Sequence, residues 1–164
     1  MTKKAVEYIE KDGELYAILI RENLPKEGYN FVSRDEHGLQ VGVNHYKAGS
    51  VAVPHVHIDC ERKINTTNEV LHIDSGKCVL VLYTDSRLRF YETTLWSGDT
   101  IVLLKGGHGI KFLEETRIVE VKQGPYLALG PADTAPWSQL AVAADAQRLL
   151  AWYATARVGE RFTT

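Results

Sequence analysis

An all-β domain followed by one α-helix is the architecture this sequence predicts. Three observations lead there. Short apolar runs, each closed by Gly, Asp, Ser, Asn or Pro, recur at close spacing up to about residue 126. No amphipathic segment of helical length separates them, as a parallel α/β fold would require. Beyond that point the composition changes: four alanines (5, 17, 48 and 52) precede residue 127 and ten follow it.

The runs can be taken in order. LYAILI (15–20) ends at a polar segment carrying Gly and Pro, RENLPKEGYN. LQVGVNHY (39–46) ends at KAGS, and VAVPHVH (51–57) runs into DCERK. EVLHI (69–73) turns at DSGK into CVLVLY (78–83). TDSR leads to LRFYETTLW (88–96), and SGD to TIVLL (100–104). KGGHG precedes IKFL (110–113), EET precedes RIVEVK (117–122), and QGPY closes the series. Eight or nine strands at such spacing suit a sandwich, jelly roll or barrel. Residues 1–126 therefore form one β domain, and 127–164 a linker with a C-terminal helix. Asp133 or Ser138 is placed to cap that helix and Gly159 to end it. Val142, Ala146, Leu149, Leu150, Tyr153 and Ala156 fall on one face at helical spacing, a stripe for packing on the β domain or on a partner.

Composition narrows the partners. In 164 residues the net charge is −2, with 24% charged and 45% hydrophobic residues. There is no basic run for nucleic acid or a membrane surface. No apolar window is long enough to span a bilayer, and the start has no secretory h-region. Two cysteines, Cys60 and Cys78, make no disulfide framework. The expectation is a cytoplasmic protein that handles a small molecule.

The chemistry concentrates in VPHVHIDCERKINTTNEVLHIDSG (53–76). Residues two apart on a strand share a face, so His55 and His57 point the same way. Glu69 on the following strand can face inward with them, while His72, of opposite parity, faces away. His108 arrives from KGGHGIKF, where the flanking glycines permit a tight turn. Three imidazoles and a carboxylate suit a borderline divalent ion: Fe(II), Zn, Mn, Ni, Co or Cu.

The arrangement of Gly49, His55, His57, Glu69 and Gly76, followed by Gly98-Asp99 through Gly106-Gly107-His108, resembles the two motifs of the cupin superfamily. The resemblance covers about residues 39–126. It departs in the eleven residues between His57 and Glu69, where three or four are usual, and in Leu104 where Pro is common. It implies a double-stranded β-helix, or jelly-roll barrel, with His55, His57, Glu69 and His108 in the family's metal-ligand positions. An open His3Glu site leaves coordination positions for substrate or dioxygen. The expectation leans slightly to Fe(II)-type oxygenation of a small polar metabolite. A Zn- or Mn-type isomerase or lyase, a non-catalytic binding module working with a partner, and a metal-free enzyme using His55 or His57 as base stand beside it. Arg62 and Lys63 in the 58–68 loop, and Lys122 on the last strand, are candidates to hold an anionic group of the substrate. The resemblance also implies a homodimer, which the need to cover sheet edges supports.

Overall fold

The computed structural model describes residues 4–24, 29–124 and 146–163. Among these described residues there are ten strands and one helix: β1 (Val6–Lys11), β2 (Glu14–Ile20), β3 (Tyr29–Phe31), β4 (Gly42–Asn44), β5 (Glu69–Ser75), β6 (Lys77–Tyr83), β7 (Arg89–Trp96), β8 (Thr100–Leu103), β9 (Gly107–Phe112), β10 (Arg117–Lys122) and α1 (Ala146–Thr155). They form an antiparallel five-stranded sheet in the order β1-β2-β8-β5-β10, a three-stranded sheet β7-β6-β9, and a β3-β4 ribbon.

Alternation along the strands builds two cores. Ala17 and Leu19 on β2, Leu71 and Ile73 on β5, and Ile101 and Leu103 on β8 face the three-stranded sheet. There they meet Cys78, Leu80 and Leu82 of β6 and Leu95 of β7. The intervening Ile18, Ile20 and Val102 face the other way and pack with Val32, Leu39, Val41 and Val43 around the ribbon. Strands buried on both faces read as near-continuous apolar runs, which is why LYAILI and TIVLL show so little polar alternation. On the outer face of the three-stranded sheet, α1 brings Trp152 to 5.8 Å from the Tyr83 ring and 5.3 Å from Phe162. Among the described residues no helix is long and apolar enough to cross a membrane.

The chain passes between the two large sheets at Gly76, at the 96–100 turn, near Gly106 and at 113–116. At Gly76 (φ +88°) a Cβ would stand 2.2 Å from the Glu115 carbonyl oxygen, so only glycine lets the two crossings lie side by side. The 96–100 turn is fixed by Asp99. Its carboxylate accepts from Arg21 Nη1 (2.7 Å) and from the backbone N–H groups of Glu22 and Trp96 (3.1 Å each). Both partners of this ion pair are nearly out of water, with side chains 8% and 5% exposed.

The strands differ from the sequence reading at several places: β3 begins within the polar segment RENLPKEGYN, and β9 opens at Gly107, so His108 lies on a strand and not in a turn. β1 is a full edge strand paired with β2, although its mixed VEYIEK pattern drew no strand assignment. LQVGVNHY yields only the short β4. VAVPHVH, expected as a strand, forms none: every residue from 45 to 67 is solvent-exposed in an irregular arm. Alternation marks a segment able to pair, and this arm has no partner strand within the described chain. Of the helix, Val142 and the proposed caps Asp133 and Ser138 lie outside the described residues. Within α1, Trp152 and Tyr153 face the sheet and Leu150 is exposed.

Candidate functional site

The register of β5 decides what faces the interior at the end of the sandwich opposite Gly76. Glu69 opens β5 on the same face as the buried Leu71 and Ile73. Across the β5–β10 ladder Lys122 stands opposite Glu69, and Glu120 opposite Leu71. Directly opposed residues of an antiparallel pair share a face, so Glu120 and Lys122 point to Glu69's side, following Ile118. On the other sheet His108 stands opposite the core residue Leu82, and Ile110 opposite Leu80. Inward-facing polar groups from both sheets thus meet at one mouth.

His108 Nε2 lies 3.4 Å from Glu69 Oε2, with side chains 33% and 16% exposed. Removal from water lowers the His108 pKa from its ordinary 6.5. Glu120 pulls it back up and Lys122 pushes it further down. The ring is accordingly neutral near pH 7, with one nitrogen able to accept a proton. Behind the pair, buried Asn68 fixes the start of β5. Its N–H donates to Gln123 Oε1 (2.7 Å), and its side-chain amide donates to the Leu104 carbonyl (3.2 Å). Neither Asn68 nor Gln123 was singled out from sequence. Their signal, a polar residue flanking each of two strand ends, is too common to be specific.

The other expected site residues lie elsewhere. His55 and His57 are on the exposed arm, with ring centroids 5.0 Å apart, and His55 Nδ1 is 2.9 Å from its own neighbour's carbonyl, Val53 O. The i, i+2 juxtaposition is present, but it does not meet Glu69 and His108. Arg62 and Lys63 line an open pocket of about 400 Å³ with Asp35, His37, Gly38, Gln40 and Ile64. His72 faces away from the mouth as expected, with Nδ1 2.9 Å from Thr100 Oγ1.

This corrects the expectation of a bound divalent ion, whether Fe, Zn, Mn, Ni, Co or Cu. Among the described residues, no group of three or more His, Cys, Asp and Glu side chains is placed to hold a metal. The physical reason is the arm: the eleven residues between His57 and Glu69 let the two imidazoles stand apart from the carboxylate they were expected to join.

Compared with known proteins, the chain matches no family model, no curated protein and no solved structure. Function has to be argued from the mouth itself.

Proposed function

We propose that the chain is a jelly-roll protein of cupin type whose mouth binds a small polar metabolite and moves a proton on it without a metal. The fold reading is supported by the way β5 to β10 divide between two facing sheets, three in each, with only β6 and β7 consecutive in one sheet. The chemical reading rests on one observation, the 3.4 Å approach of His108 Nε2 to Glu69 Oε2 at a partly closed mouth.

In this reading neutral His108 is the base. It takes a proton from the hydroxyl-bearing carbon next to a carbonyl and the electron pair moves onto the carbonyl oxygen; the hydroxyl proton then passes to that oxygen as the new carbonyl forms, and the imidazolium returns its proton to the former carbonyl carbon. Glu69 stabilises the imidazolium that forms, as a carboxylate beside a catalytic histidine does. Lys122, across the ladder from Glu69, balances the charge of an anionic substrate group or of the enolate. The reaction class is isomerisation of an α-hydroxy carbonyl compound, and a sugar derivative carries the functional groups it needs.

The test is solvent exchange. Panels of sugar phosphates, nucleotide sugars and small keto and hydroxy acids are incubated with the protein in D2O and read by NMR. Deuterium should wash into a C–H bond of one compound class, and His108→Gln should abolish this while leaving the protein folded. A compound that raises the melting temperature of the wild type but never exchanges would replace catalysis with ligand binding alone.

A further inference from the structure

The outer face of the three-stranded sheet carries a polar cluster that the mouth does not use. Register puts it there. Leu80 and Leu82 face the core, so Val79, Val81 and Tyr83 between them face out. Across the ladders Arg89 stands opposite Tyr83, Glu92 opposite Val81 and Lys111 opposite Val79. Directly opposed residues share a face, so these three charged side chains face out too. α1 and the residues that follow it lie over this face. They and the strands enclose a groove of about 360 Å³.

Arg89 anchors the groove, with its side chain 7% exposed. Nη1 donates to the Tyr153 carbonyl in the last turn of α1 (3.3 Å), and Nη2 donates to Glu92 Oε2. Nε–H has no hydrogen-bond partner among the described residues, although it is sealed from water. The Tyr153 hydroxyl, in the same lining, is sealed and unpartnered in the same sense. Burial raises its pKa, so it keeps its proton and remains a donor. The Arg89 guanidinium carbon lies 5.9 Å from the centre of the Tyr153 ring, close enough for one small ligand to meet both. A buried donor left unmade is costly, and a fold that keeps one calls for a reason. The hold on the helix accounts for Nη1 and the ion pair for Nη2; neither accounts for Nε.

We propose that this groove binds a small organic carboxylate, held side-on by Arg89 through Nε and Nη2. Those two donors are the parallel pair that fits both oxygens of one carboxylate. Glu92 takes only one of them, and its own side chain is 43% exposed, so it can turn out to solvent and yield the fork. Charge favours the exchange. Arg89, Lys111 and Arg157 line the groove against the carboxylate of Glu92, and a ligand anion brings the lining closer to neutral. The remaining walls are apolar: Val79 and Val81 on the strands, with Leu113, Ala154, Ala156 and Val158 around them. Apolar walls with a few convergent polar groups suit an acid with a short aliphatic or aromatic body. Phosphate or sulfate would use the cations and leave the walls unused. The sheet separates this groove from the mouth, since His108 stands on the core face of β9 and Lys111 on the outer one. The groove therefore stands whether or not protons move at the mouth.

The experiment titrates the full, isotope-labelled chain with hexanoate and with benzoate and follows it by NMR. Saturable shifts should appear at Val81, Lys111, Ala154 and Arg157, with a dissociation constant of about 1 mM or tighter. The Arg89 Nε–H signal should move with them. Hexanol and benzyl alcohol keep the body without the charge, and acetate keeps the charge without the body; each should bind at least about tenfold more weakly. Glu92→Gln should tighten hexanoate binding by about tenfold, because the competing carboxylate is gone. The same variant should melt lower than the wild type, and saturating hexanoate should restore it. A Glu92→Gln protein that binds no tighter would make the pair purely structural and overturn the proposal. So would the absence of saturable shifts, equal binding of the alcohols, or shifts confined to Glu69 and His108. Contacts in the free protein between the groove and residues 125–145 would put the chain's own segment there, and would overturn it as well.

Discussion

Removing the charge of Asp99 should be a costly polar change in this fold. Its carboxylate satisfies three donors at once: the Arg21 guanidinium and the N–H groups of Glu22 and Trp96. Arg21 also donates to the Thr94 carbonyl at 2.8 Å and to Thr93 Oγ1 at 3.0 Å, so it cannot swing out to water without breaking those bonds too. Asp99→Asn keeps the shape and removes the charge, leaving a guanidinium 8% exposed with no anion beside it. Breaking a buried pair from one side costs about 3–5 kcal/mol. For a chain of this size that corresponds to about 6–20 °C in melting temperature. Arg21→Met should cost a similar amount. The double variant Arg21→Met/Asp99→Asn should cost less than the sum by about 1–3 kcal/mol, because no charge is left stranded. Urea unfolding with a shared m-value measures all three. A loss under about 1 kcal/mol for Asp99→Asn, or strict additivity in the double variant, would show that the pair does not hold the 96–100 turn as described.

Three further outcomes are expected. Gly76→Ala forces a positive φ on an L side chain and drives its Cβ into the Glu115 carbonyl, so it should lower the melting temperature by well over the effect of about 1 kcal/mol seen for ordinary glycine replacements; an unchanged melt would mean the crossing is looser than described. His108 should titrate below 6.5 by NMR. The unfolded chain then binds the extra proton first, so stability attributable to His108 is present above about pH 6.5 and is lost as pH falls from there through the folded value, a dependence that His108→Gln should remove. Exposed Cys60 should react at once with a thiol reagent in the native protein, while Cys78, fully buried and with its pKa raised first by burial and then by Asp99, should react only on unfolding; fast labelling of both thiols would count against the packed core.

The strands were legible wherever burial alone sets the pattern. CVLVLY and TIVLL became β6 and β8 because their apolar content left no alternative to a covered strand. Lys122 on the last strand was a candidate to hold an anionic group, and the β5–β10 register sets it, with Glu120, on the face of Glu69. β1 was missed because an edge strand with one wet face tolerates Glu and Lys freely. The metal site failed for a different reason. Spacing along a chain constrains which residues can meet, but an eleven-residue connection does not compel them to, and here His55 and His57 stay on the arm. The faces of Glu69 and His72 could be read from parity, since a period of two needs no tertiary information.

The sheet crossings at Gly76 and Gly98 sit at one end of the sandwich, with the Arg21–Asp99 pair beside them, whereas Glu69, His108, Glu120 and Lys122 sit at the other. That division bears on how the protein can change. Substitutions at the four mouth side chains alter what is recognised while leaving the turns at Gly76 and Gly98 intact, so a library randomised at those four positions, with Gly106 kept, should keep most members folded. The same library at positions 21, 76, 98 and 99 should lose nearly all of them. New specificity is therefore reachable by single steps from this scaffold, without a stabilising change having to come first.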